Sequence, residues 1–165
     1  MPDSATGEYY PPSGFYFRVQ LANARGGAAG TAKLDMAFQD ASGLSVEMEP
    51  ETVAEGGLNN YRHRLPVAAK YGDLVLKRGL VTDTLPLFTW CQTTLQAGLA
   101  KPIQPKNLSL QLLGPGSGKG GPKILCQWSF FGAWPTKWNL SDFDSTKNEV
   151  VIETLQFAYR YFERN

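Results

Sequence analysis

Hydrophobic and polar residues alternate along much of this chain. Phe15, Phe17, Val19 and Leu21 stand against Tyr16, Arg18 and Gln20. That two-residue period is the mark of a strand with one face in a core. Residues 36–39 allow a short strand. Gly43 restarts extended structure through Glu51, with Leu44, Val46 and Met48 opposite Ser45, Glu47 and Glu49. A loop holding Gly56 and Gly57 follows. Residues 61–65 return as a strand closed by Pro66, and residues 74–81 form another, ended by Thr82 and Asp83.

A different period appears at residues 84–98. Leu87, Phe88, Cys91 and Leu95 recur at three- and four-residue steps, so one face of a helix packs on a sheet. Pro86 suits the first turn, where a missing N–H costs little, and Gly98 is a natural stop. Phe88 and Leu95 are expected to anchor this helix. Residues 106–113 and 123–131 flank GPGSGKGGP and read as a hairpin with a long tip. Residues 134–140 and 150–162 form a closing pair. Many strands and one helix predict a mainly β fold, an antiparallel β-barrel or two packed sheets with the helix docked at the side. No internal repeat or domain linker interrupts residues 14–165, which read as a single domain after a flexible lead-in at 1–13.

The last strand carries an irregularity. Apolar residues occupy even positions at Val150 and Ile152, then odd ones at Leu155, Phe157, Tyr159 and Tyr161. A slip of one residue moves the core set to the wrong face. Either a bulge lies near Glu153 and Thr154, or both faces are covered, the second by a subunit contact.

Composition narrows the function classes. The chain has 165 residues and a formal charge of +1, enough for one core and no global case for nucleic-acid binding. No apolar run is long enough for a spanning helix. The first residues, MPDSATGEYYPPSG, lack the basic start and apolar stretch of a secretory signal. The two cysteines, Cys91 and Cys126, sit in apolar patterns and read as buried free thiols, which fits synthesis in the cytoplasm.

Motifs for chemistry are weak. Residues 114–121 lack the Walker spacing: Leu113 stands five before Gly118, and Lys119 is followed by Gly120. His63 is the only histidine and has no partners at metal-ligand spacing. Paired with Cys91 it could imitate a Cys–His nucleophile, but Cys91 lies in the helix's apolar face. No catalytic, cofactor or metal residues are assigned. Trp134 and Trp138 share parity and leave open a subunit contact, inward packing, or a monomeric barrel binding a small ligand or glycan.

Charge is segregated. Asp35, Asp40, Glu47, Glu49, Glu51 and Glu55 stand in a stretch without Lys or Arg. Arg62, Arg64, Lys70, Lys77 and Arg78 follow against Asp73 alone. Two strands of one hairpin with matched charges would account for this. So would complementarity between subunits, where opposite patches fix register.

The ordered series YYPPSGFYFRV, FQDASGLSVEME, EGGLNNYRHRLP, YGDLVLKRGLVTD, LFTWCQTTL, KNLSLQLL and AWPTKWNLSDFDSTKNEVVIETLQFAY resembles the tail tube proteins of contractile phages and contractile injection systems. It covers residues 10–162. The resemblance implies a structural, non-enzymatic subunit forming stacked hexameric rings around a lumen for cargo. Sheath and baseplate proteins are the implied partners, the particle is the destination, and no cofactor is implied. The family's extended loop between rings matches residues 51–60. The implied interface is Glu51, Glu55, Gly56, Gly57, Asn59, Asn60, Tyr61, Arg62, Arg64, Lys77 and Arg78. The longer insert at 22–31 and the Gly-rich tip at 114–121 depart from the family and leave open the repeating tube subunit or a tube-initiating ring.

Overall fold

The computed structural model describes residues 17–22, 38–54, 61–80, 86–98, 100–114, 122–143 and 150–165. The tip at 115–121 lies outside them. The described strands are β1 (Phe17–Ala22), β2 (Asp40–Ser42), β3 (Val46–Glu47), β4 (Pro50–Val53), β5 (His63–Pro66), β6 (Lys70–Tyr71) and β7 (Leu74–Gly79). The helix α1 (Pro86–Gln96) follows, then β8 (Lys106–Gly114), β9 (Lys123–Leu140), β10 (Ile152–Ala158) and β11 (Tyr161–Arg164). All pairings are antiparallel. The main sheet runs β1–β8–β9–β10–β7–β2, with β11 also on β9. Among the described strands β1 and β2 stand at the two ends of this order and are not bonded to each other.

The two strands expected at 123–131 and 134–140 are one 18-residue strand, β9. Its first part pairs with β8 and β11, its last part with β10. It therefore joins two layers. Gly132 sits at the changeover with φ 63°, and its N–H donates to Asn107 Oδ1 at 3.1 Å. A Cβ there would press on Arg160 at 3.1 Å. Gly132→Ala should therefore cost about 1–2 kcal/mol, the usual penalty of left-handed backbone. Urea denaturation reads this; a loss below about 0.5 kcal/mol would show that the elbow tolerates a side chain.

One core joins both layers. Val19, Leu108, Leu110 and Phe130 come from one side, Leu74, Leu76, Leu155 and Phe157 from the other. The expected inward set of β1 holds at Val19, with Phe17 and Leu21 packed beside it. The helix buries Leu87, Trp90 and Cys91. Trp90 stacks on Phe157 with centroids 5.8 Å apart, and its Nε1 donates to Gln104 O at 3.1 Å. Of the two expected anchors Phe88 holds, packed against the core cluster and edge-on to Trp138 of β9 with centroids 6.1 Å apart, while Leu95 does not. Leu95 stays outside the core cluster, and Phe88 is half-buried, its ring 3.9 Å below the Arg78 guanidinium.

The bulge expected near Glu153 and Thr154 in the last strand is not found there. Glu153, Leu155 and Phe157 all point inward, so odd positions face the core throughout β10. Val150 is 73% exposed. The register shift against β9 falls between Gln156 and Phe157, not near Thr154. The residue that broke the apolar pattern is a buried glutamate.

Candidate subunit interface

Between β2 and β7 the chain leaves the main sheet. Among the described residues β3 pairs only with β6, and β4 only with β5. These short ladders make an arm. Every residue of β4 is exposed, and in β5 only His63 is partly covered. Val46, Met48, Val53, Tyr61, Leu65 and Val67 are 38–58% exposed along it. Apolar side chains grouped on a thin projection bury little within the subunit, which is the signature of an association surface.

Register decides how the arm's charges lie. Glu51 stands opposite Leu65, and Val53 opposite His63; Thr52 stands opposite Arg64, and Pro50 opposite Pro66. Directly paired residues share a face and neighbours alternate. Glu51 and Arg64 therefore occupy opposite faces, and the hairpin does not match them. Among the described residues neither makes an ion pair, nor does Arg62. Tyr61 packs edge-on to His63 at 5.1 Å. The arm's one described ion pair is nearer its root, Lys70 Nζ to Glu49 Oε2 at 2.7 Å. That hydrogen bond, then the attraction of the charges, holds Glu49 below the usual carboxylate range and raises Lys70.

Glu55, Gly56, Gly57, Asn59 and Asn60 lie outside the described residues. Lys77 is on the main sheet, opposite Asp40 and 3.2 Å from its carboxylate. Arg78 does not reach the surface. It is 3% exposed, because β7 turns it inward with Leu74 and Leu76. Its Nε donates to Glu153 Oε2 at 3.0 Å, and Trp138 Nε1 donates to Glu153 Oε1 at 2.7 Å. Both charges are thereby satisfied in the interior. Spacing could not pair residues 75 positions apart; the one local hint was a glutamate amid the apolar residues of the last strand.

Nor do the tryptophans make a platform. Trp138 stands opposite Leu155, but the shift puts Pro135 opposite Phe157 and Trp134 opposite Ala158. The parity that linked the two is broken, so Trp138 faces inward and Trp134 outward. The Cys91 thiol is pushed up to about 12, by burial first and then by the charge of Glu153. It stays protonated at neutral pH and is a poor nucleophile.

Comparison with known proteins agrees with this architecture. The family described as T4-like virus tail tube protein gp19 matches residues 13–163. A chain of the anti-feeding prophage baseplate, solved by cryo-EM, shares 26% identity at a TM-score of 0.77, over 96% of this chain and 97% of that one. A chain of the PVC extracellular contractile injection system sheath–tube complex shares 18% at 0.72, over 94% and 92%. Hcp1 from Flavobacterium johnsoniae shares 17% at 0.54, over 92% and 95%. A search of curated proteins finds no match. The family match spans all but the ends of the chain, which therefore belongs to the T4-like tail tube protein family and is a structural tube protein.

Proposed function

We propose that six copies close into a ring, that rings stack into the inner tube of a contractile injection particle or phage tail, and that the arm bridges one ring to the next. The observation that carries this is the arm itself. Its apolar residues stay exposed, and its Glu51, Arg62 and Arg64 charges make no ion pair among the described residues, which suits a surface reserved for a second copy. The undescribed tip, Glu55, Gly56, Gly57, Asn59 and Asn60, belongs to the same proposed contact, with Tyr61 beside it. Lys77 contributes from the sheet only if its pairing with Asp40 is shared. Arg78 serves the subunit interior.

The likeness to a baseplate chain at 26% identity, against 18% for a sheath–tube chain, supports a tube-initiating ring over the repeating one. Sheath and baseplate proteins are the partners in this reading, and the lumen passes the particle's cargo. The chain is made in the cytoplasm and ends in the particle.

The test is sedimentation of wild type and Arg62→Glu/Arg64→Glu across a salt series, with thermal unfolding as fold control. Reversal should weaken assembly roughly tenfold or more, since like charges set against each other disfavour docking. Wild-type assembly should loosen as salt rises, because exposed pairs are screened. A double mutant that assembles like wild type at every salt concentration would restrict these charges to the surface of one subunit.

A further inference from the structure

The arm's root is built more tightly than the arm. Gly43 has φ 85°, and a Cβ on it would land on the Asp73 carbonyl oxygen. A Cβ on Gly72 would run into Ser45 Oγ and lie 3.2 Å from Gly43 O. The two chain segments are also bonded through their backbones. Gly72 N–H donates to Ser45 O at 3.1 Å across the crossing, while Ser45 N–H donates to Gly43 O at 2.9 Å within the first segment.

The second segment of this crossing is tied to β10 and β11 of the main sheet. Gln156 Nε2 on β10 donates to Asp73 Oδ2 at 2.8 Å. Tyr71 packs on Tyr159 and Phe162, with centroids 6.0 and 5.7 Å away. Past the crossing, the described residues of the arm are held by the two short ladders, the Lys70–Glu49 ion pair and the Tyr61–His63 contact. Whatever direction it takes is therefore set at residues 43–45 and 71–73.

We propose that Gly43 and Gly72 are positioning residues for association: they let two backbones meet without side chains between them, and so fix the single direction in which the arm leaves the sheet. This rests on the reading that the arm carries the contact between copies. Gly43 adopts a left-handed backbone that other residues resist, and it does so where a neighbouring carbonyl fills the space of a side chain. Both constraints select glycine, at a crossing that lies outside the strands of the main sheet. A rigid root keeps every molecule in the competent arrangement. If only about a tenth held that aim, apparent affinity would fall about tenfold.

The experiment measures aim and association separately. Spin labels at exposed Thr52 on the arm and exposed Asn139 on the sheet report their separation in labelled protein diluted into unlabelled protein. Hydrogen exchange in β7 and β10 reports the fold. Gly43→Ala should shift or broaden the separation and raise the concentration needed for assembly about tenfold, with exchange in β7 and β10 unchanged. An unchanged separation, or a changed one with normal assembly, overturns the proposal. If Gly43→Ala loosens β7 and β10, the decision passes to Gly72→Ala and Ser45→Ala/Gly72→Ala. The single variant should disturb aim and assembly, and the double, which removes the obstructing hydroxyl, should recover both. Failure of either half overturns the proposal. The arm reading fails separately: Arg62→Glu/Arg64→Glu assembling like wild type removes those charges from the contact, whatever the glycine variants do.

Discussion

Arg78→Ala should cost about 3–5 kcal/mol of folding stability, the range for stranding one member of a buried ion pair. Glu153 is 1% exposed and, among the described residues, would keep only the Trp138 indole as a donor. Its charge would then sit in the interior without a counterion. The variant also loses the guanidinium above Phe88, a contact that contributes up to about 2 kcal/mol when desolvated and overlaps with the first loss. Replacing both partners with apolar residues of similar volume, Arg78→Met with Glu153→Leu, should recover most of the loss, because the penalty comes from the unpaired charge. Recovery stays incomplete, since Trp138 Nε1 then lacks its acceptor. Urea denaturation at concentrations where the chain is unassembled gives all three values, because association would otherwise add its own stabilisation. A loss below about 1 kcal/mol for Arg78→Ala would mean that water reaches Glu153 and the pair is not a buried one.

The second large effect belongs to Phe157→Ala, with an expected loss of about 3–5 kcal/mol. Phe157 is fully buried. It stands on β10 between Leu74 of β7 and Pro135 of β9, and Trp90 of the helix stacks on it. One ring thus bridges three strands and the helix, and its removal leaves a cavity that rigid strands cannot collapse to fill. The contrast is Phe143, which is 72% exposed, where alanine should change stability by less than about 0.5 kcal/mol. Equal losses at the two positions would contradict the core described here. The helix should also loosen in Phe157→Ala, visible as faster hydrogen exchange in α1 than in β8.

Much of the fold was legible because local patterns are strong where one face is buried and the other wet. The alternation from Phe17 to Leu21 placed β1 correctly, and the spacing of Leu87 and Cys91 located the helix between Pro86 and Gly98. The same patterns misjudged details that depend on a partner. Trp90 escaped the helix face, although it lies three residues from Leu87, and Leu95 was taken as an anchor although it stays outside the core cluster. The arm was legible as two strands around a loop. That Glu51 and Arg64 lie on opposite faces followed only from the pairing of Thr52 with Arg64.

By itself, the sequence determined the antiparallel, mainly β class, the single helix, the order of elements and, through that order, membership of the tube family. These follow from two-residue and three-to-four-residue periods and from turn residues, all of which act within a few positions. Tertiary structure decided what lies far apart in sequence. Glu153 faces inward because Arg78 waits there, 75 residues away. Trp134 and Trp138 face opposite ways because β10 skips one residue of β9. The arm leaves the sheet where Gly43 and Asp73 meet. Periodicity records which residues avoid water. It does not record which distant group satisfies a buried charge, nor where two backbones cross, and those long-range contacts fixed the faces, the register and the surface left for association.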